Sequence, residues 1–363
     1  MTMLLWVLAC LAALVLLVEL ACRLYHRHRY GIPFVNKVSG EYPYSQFIEK
    51  VDPPLFFRLK KNFTSRLVNI NRFRCRGPQP APDGQKKRFL LIDESLSFGV
   101  RLRREHHLWS IRLQKMLDRV YPGQWEVLNA SNPTYNAVQH YHLWKEQMDQ
   151  VKPDILVISM GGNDLSQAWM YGGQWKEGTP WPWEFIVALE RKTPWWNKIL
   201  GYFCFYFLLR RRHSQRKPFP RLDENFLWDE IRASMAKHYR LIAELGRKHG
   251  AKLAHMGYAF AYDKELTPQD ERALDAVQAN WRTFVEGRGV YDHELFIFLE
   301  QEVCPSLGME VIHLHERLNQ RPDRYRLHLD LVHFNRRGQK VIAEIIYQEI
   351  DRLGWWNPKE EKK

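Results

Sequence analysis

An α/β fold, with a parallel sheet covered by helices on both faces, is what the sequence predicts from about residue 87 onward. Two observations carry that expectation. Short apolar runs of strand length alternate with segments whose apolar residues recur at helical spacing, and polar clusters fall just after the apolar runs. Open α/β sheets bind their ligands at those carboxyl ends. A third observation sets the start of the chain apart: an N-terminal apolar run about as long as the 20 residues needed to cross a bilayer.

From Met3 to Val18 no residue is charged or strongly polar, and the apolar run resumes after Glu19 to reach Cys22. A cleaved signal peptide has a basic start and small residues at its cleavage site. This segment has neither, so residues 1–25 read as an uncleaved transmembrane anchor. A polar stretch over residues 26–86 follows, ending in the turn-rich Gly77-Pro78-Gln79-Pro80-Ala81-Pro82-Asp83-Gly84.

The alternation then begins. Arg88–Ile92 is a buried-strand candidate, and Trp109, Leu113, Met116, Leu117 and Val120 recur at helical spacing. Short strands are expected at Glu126–Leu128 and Asp154–Ser159. Ile231, Met235, His238, Ile242 and Leu245 mark a long helix, with a strand near Lys252–Met256. A helix near Glu271–Val285 and a strand at Glu310–Leu314 come next, and Ile342, Ile345, Ile346, Ile350 and Leu353 mark the last helix. Strand–helix alternation of this kind builds a parallel sheet.

Of the 363 residues, 45% are hydrophobic and 26% charged, an ordinary globular composition. The net charge is +13, but no nucleic-acid motif accompanies it, and basic clusters such as Arg210-Arg211-Arg212 sit beside apolar stretches. The bilayer is therefore the expected partner, and no nucleic acid is. Of the five cysteines, Cys10 and Cys22 lie in the anchor; Cys75, Cys204 and Cys304 are widely spaced and match no zinc pattern. Neither a disulfide framework, a metal nor a cofactor is expected.

Four polar clusters carry the chemistry. Asp93-Glu94-Ser95-Leu96-Ser97-Phe98-Gly99 follows the first strand and puts a serine at a strand-to-helix turn, where backbone N–H groups are at hand. Asn129-Ala130-Ser131-Asn132 follows the second. Gly161-Gly162-Asn163-Asp164 follows the third, its glycines allowing close backbone approach and its asparagine able to donate a hydrogen bond. Asp330-Leu331-Val332-His333 precedes the last helix, with Asp and His spaced so that the carboxylate can meet imidazole Nδ1 and leave Nε2 to take a proton. Each alone also fits a plain turn, cap or buried histidine.

Together and in this order the clusters resemble the serine, glycine, asparagine and histidine blocks of the SGNH (GDSL-type) hydrolases, over about residues 86–353. Asp52-Pro53-Pro54, Leu59–Phe63, Val68–Asn71 and Arg76-Gly77-Pro78 are similar to the lead-in of membrane-anchored bacterial members. The resemblance implies a three-layer, flavodoxin-like α/β/α domain over residues 87–357, with residues 26–86 packing on it and an insert at about 166–226. It implies Ser95 as nucleophile, His333 as base and Asp330 as its orienting carboxylate. The oxyanion hole would be the backbone N–H of Ser95 and Ser131 and the side-chain amide of Asn163, supported by Glu94, Gly161 and Gly162. The expected activity is hydrolysis or transfer of an O-acyl group on a surface glycan or lipid. Asp93 and Ser131 stand where the family has glycine, and Glu94 where it has aspartate. A catalytically weakened domain serving as a membrane-tethered binding or assembly factor is the alternative.

The insert holds six of the fourteen tryptophans between Trp169 and Trp196, then the apolar Ile199–Leu209 before Arg210-Arg211-Arg212. An interfacial helix forming a lid and an ordinary buried helix over the site both fit this pattern. Arg23, Arg27, Arg29 and Lys37 follow the anchor, which favours a cytoplasmic domain by the positive-inside tendency. The resemblance places a single-pass protein in a bacterial inner membrane with its domain outside the cytoplasm, and a reporter fused after Lys363 would read the side directly.

Overall fold

A computed structural model describes residues 2–31, 34, 44–102, 104–183, 227–263, 265–278, 281–285 and 289–357, with scattered positions between 200 and 209. Helix α1 (Thr2–Tyr30) opens the chain, and its apolar part is bare: Leu4, Leu11 and Leu16 are 63%, 54% and 66% exposed. It is the one helix among the described residues long and apolar enough to cross a membrane. Its last turns are different. Glu19, His26 and Tyr30 are buried, and the Cys204 N–H donates to Glu19 Oε1 at 2.9 Å.

Five strands form the central sheet: β5 (Lys87–Asp93), β6 (Trp125–Asn129), β7 (Ile155–Ser159), β8 (Lys252–Met256) and β9 (Glu310–Ile312). All pair in parallel, in the order β6-β5-β7-β8-β9. Counted from β5 that order is 2-1-3-4-5, the flavodoxin-like arrangement. Near-continuous apolar strands such as Phe89-Leu90-Leu91-Ile92, fully buried, are what a sheet covered on both faces demands.

The helices supply that cover. Helices α3 (Trp109–Val120) and α10 (Arg336–Arg352) pack together on one face, and α4 (Ala137–Val151) and α6 (Trp228–Arg247) on the other. Each shows the apolar stripe that such a position requires. The remaining labelled helices are α2 (Ser95–Phe98), α5 (Gly162–Tyr171), α7 (Pro268–Val277), α8 (Val290–Phe298) and α9 (Leu314–Asn319).

Several expected elements shift. The helix near Glu271–Val285 is broken: α7 starts under a Thr267–Asp270 capping box, ends at Gln278 and gives way to a short helix at Trp281–Phe284. The strand near Glu310 stops at Ile312, before the α9 helix begins. The 44–86 stretch, which lacks clear periodicity, makes two small antiparallel pairs, β1 (Ile48–Lys50) with β2 (Phe57–Leu59) and β3 (Phe63–Thr64) with β4 (Asn69–Ile70).

Those pairs share a second core, in which Phe47, Phe57, Leu59 and Val68 pack with Phe98, Tyr135 and Leu143 of the main domain. Phe98 comes from the cluster after β5 and Tyr135 from the loop after β6, so this segment buttresses the loops at the sheet's carboxyl edge. Within the insert, Trp175 and Trp181 are buried and Trp169 and Trp183 half-buried, so the described tryptophans pack on the domain. Trp195, Trp196 and most of Ile199–Arg212 lie outside the described residues.

Candidate active site

The order 2-1-3 around β5 means that chain connections leave β5 and β7 towards opposite sides, opening a crevice between their carboxyl ends. Asp93 and Ser159 pair in register there. The next residues on each side are the Ser95 turn and the Gly161-Gly162-Asn163 turn.

Ser95 begins α2, so its N–H is among the first amides of a helix, which lack an intrahelical acceptor. The turn is held from below. Buried Arg76 donates to the Phe98 and Gly99 carbonyls at 2.6 and 2.9 Å and lies over the Phe98 ring. These two carbonyls end α2, where a cation is favoured. Sequence reasoning placed Arg76 in the lead-in but gave it no part in the site; one isolated arginine carries no signal of the carbonyls it will meet.

His333 reaches Ser95 across 238 positions of sequence: Nε2 lies 2.9 Å from Ser95 Oγ. Its Nδ1 lies 3.0 and 2.9 Å from Asp330 Oδ1 and Oδ2. Asp330 Oδ1 also accepts the backbone N–H of Val332 and His333, at 3.0 and 2.8 Å, and Oδ2 accepts Arg101 Nη1 at 2.9 Å. Burial pushes this carboxyl up, but His333, Arg101 and those N–H donors outweigh it and hold it well below the usual carboxylate range. The loop bearing this pair is fixed at its end by Asn335, whose side chain caps α10 by accepting the Arg337 and Gly338 N–H groups.

Glu94, beside the serine, is wholly buried. Its Oε1 accepts the Gly161 N–H and its Oε2 the Asn163 N–H, both at 2.8 Å. A carboxylate one methylene longer than aspartate thus spans the crevice and ties the β5 turn to the β7 turn. Gly161 (φ 125°) occupies a conformation that side chains resist, and a Cβ there would lie 2.8 Å from Leu295 Cδ2. A Cβ at Gly162 would press on Glu94 Oε2 and the Tyr258 ring at 3.1 and 3.2 Å.

The Asn163 side chain is half-buried and donates from Nδ2 to the Tyr135 carbonyl at 2.9 Å. An amide carries two donors, so one remains. Ser131 is fully buried, and its N–H points to Asn129 Oδ1 at 3.2 Å. Asn129 Nδ2 in turn holds the Ser97 carbonyl at 2.9 Å. The third expected oxyanion donor is therefore engaged inside the protein.

Asp93, where the family has glycine, ends β5 as a strand residue and turns inward. Its Oδ1 accepts the Glu94 N–H at 2.6 Å, and its Oδ2 is bonded to the Ser97 hydroxyl. Burial pushes Asp93 up to about 7 and Asp164 up to about 7. Burial, then Asp164, raises Glu94 well above the normal carboxyl value, with Asp93 adding to it.

These groups make stability depend on pH with a definite sign. Unfolded, such carboxyls ionise near about 4; folded, Asp93 and Asp164 keep their protons to about 7. The folded state binds more protons between those values, so this contribution to stability falls as pH rises through that window. His140, His255 and His328, pushed down by burial to about 3, 4 and 3, pull the opposite way below about 6.5. Asp164→Asn removes this carboxyl together with its push on Glu94, both in the same direction: its melting temperature should gain on wild type by several degrees between pH 5 and pH 8, at about 2–4 °C per kcal/mol. Calorimetry showing a pH-independent difference would refute the buried-acid account.

No family model matches the sequence, and no curated protein matches it either. Among solved structures, the chain is similar to the lipase/acylhydrolase from Enterococcus faecalis, at 14% identity and a TM-score of 0.44, covering 74% of this chain and 96% of that one. It is similar to a GDSL-like lipase from Bacteroides thetaiotaomicron at 13% identity and a TM-score of 0.41, covering 75% and 91%. The acetylxylan esterase Axe2 from Geobacillus stearothermophilus matches at 15% identity and a TM-score of 0.40, covering 74% and 95%. The solved structures this chain is similar to are thus those of GDSL-like lipases, acylhydrolases and acetylxylan esterases.

Proposed function

We propose that this protein is a membrane-anchored serine acyl hydrolase whose Ser95, His333 and Asp330 act as a catalytic triad. The observation that carries the reading is the unbroken chain of contacts from Ser95 Oγ through His333 to Asp330. Serine is a poor nucleophile until an adjacent base takes its proton. Here Ser95 Oγ would attack the ester carbonyl while its proton passes to His333 Nε2. The tetrahedral oxyanion would be met by the Ser95 N–H and the second Asn163 amide hydrogen. Collapse would expel the alcohol, protonated by His333, and leave an acyl group on Ser95. Water activated by the same imidazole would then release the acid; another hydroxyl in place of water would make the reaction a transfer.

An O-acyl ester of a surface glycan or a lipid is the proposed substrate, because the bare apolar helix α1 tethers the site close to a bilayer. The likeness of the lead-in to that of anchored bacterial proteins supports a domain outside the cytoplasm. A second reading, a tethered binding factor, is favoured by one observation: the Ser131 N–H is already engaged by Asn129.

Turnover of p-nitrophenyl acetate and covalent labelling by a fluorophosphonate separate the two. The hydrolase reading expects both, and expects Asn163→Ala to lower turnover by about 10²–10³-fold. Folded protein that neither turns over nor labels leaves only the binding factor.

A further inference from the structure

The cysteines give no reason to expect a metal, but a different donor set converges at the same edge of the sheet. Asp263 follows β8, His293 lies on α8, and His315 lies on α9 just after β9. One ligand atom from each falls within 4.8 Å of the others. His315 Nε2 is 3.9 Å from Asp263 Oδ1, a few tenths of an ångström wider than the roughly 3.3 Å between ligands of a tetrahedral zinc ion. His293 and His315 also line a cavity of about 110 Å³ together with Glu300 and His313.

A second observation shows where positive charge is wanted. The Asn319 amide nitrogen sits 2.8 Å from Asp263 Oδ2 and 2.8 Å from His315 Nε2. One NH₂ group thus lies between a carboxylate and an imidazole nitrogen, the place a cation between them would take, while the Phe260 N–H meets His315 Nδ1 at 3.4 Å. Turned over, the same amide offers Oδ1 as a fourth donor. A plain hydrogen-bonded cluster explains the Asn319 contacts. Ring packing of His293 on Phe260, Tyr262 and His315, with centroids 5.5, 5.4 and 5.1 Å apart, brings the imidazoles together, and Asp263 adds the carboxylate that completes a donor set.

We propose that Asp263, His293 and His315, with Asn319, bind a divalent transition-metal ion of the zinc type. Two imidazoles, a carboxylate and an amide oxygen are donors suited to such an ion. The ion would clip together the segments that follow β8 and β9 and helix α8. Two residues before Asp263, the Ala261 N–H donates to the Leu331 carbonyl at 2.8 Å. The clip therefore braces the loop that carries Asp330 and His333, from a position outside the triad. Its role is structural.

Full-length protein in detergent, without a histidine tag and stripped by a chelator, is titrated with Zn²⁺ and its metal content measured after desalting. One ion per chain and a raised melting temperature are expected. Asp263→Asn and His315→Ala should each weaken binding at least about tenfold and abolish the rise. Should His315→Ala fail to fold, the nearly isosteric Asp263→Asn decides alone. Wild type that retains no ion overturns the proposal, as does an Asp263→Asn protein that binds zinc like wild type. Wild type that binds the ion but takes no label leaves the metal site standing and sinks the hydrolase.

Discussion

Ser95→Ala is expected to abolish fluorophosphonate labelling and to lower ester turnover by roughly 10⁴–10⁶-fold, the range seen when a nucleophile that acts as a unit with its base is removed. The fold should survive. Ser95 is half-buried at the first position of α2, and its hydroxyl's contact is with His333 Nε2. Alanine is a good helix former, and the Glu94 bridge to Gly161 and Asn163 is untouched. An unchanged melting temperature with lost labelling would therefore assign the chemistry to one atom. If the label persisted on Ser95→Ala, another nucleophile would be at work and the triad reading would fail. Ser97, bonded to Asp93, is buried too deeply to take its place.

Much of the fold was legible because its strands are short, apolar and buried on both faces, while its helices show one apolar stripe. Lys252–Met256 falls where the apolar run put it. The polar clusters were legible as a set because the carboxyl edge of a parallel sheet gathers whatever follows its strands. What escaped was long-range pairing. Nothing around Arg76 reveals that its guanidinium will hold the Phe98 and Gly99 carbonyls. Nothing in Asp93 reveals that it will face inward and accept the Glu94 N–H and the Ser97 hydroxyl. The helix expected at Glu271–Val285 failed for a local reason, since Gln278 leaves helical backbone and ends α7. The metal-ligand set was invisible because its members stand 30 and 22 positions apart and fit no short spacing.

Asp330→Asn should cost nearly as much activity as loss of the serine, about 10⁴-fold, although it changes one atom's chemistry and little volume. The reason is geometric. Asp330 Oδ1 accepts two backbone N–H groups, from Val332 and His333. An asparagine must keep its oxygen there, because an NH₂ would face two donors. Its nitrogen then takes the place of Oδ2, beside His333 Nδ1 and Arg101. An amide N–H aimed at Nδ1 forces the imidazole proton onto Nε2, and a protonated Nε2 cannot accept the Ser95 hydroxyl. Arg101→Met removes the other partner of Oδ2 without changing the tautomer. Because that guanidinium is 44% exposed, its ion pair is worth at most about 1 kcal/mol, and turnover should fall less than about tenfold. The two variants thus separate loss of the orienting carboxylate from loss of its exposed ion-pair partner. With Asp330 held well below the usual carboxylate range, neither the wild type nor Arg101→Met should show an acid limb from this carboxyl above about pH 4. A kcat/KM for Asp330→Asn that stayed within about tenfold of wild type would mean that His333 keeps its tautomer without the carboxylate, and the orienting role assigned to Asp330 would be wrong.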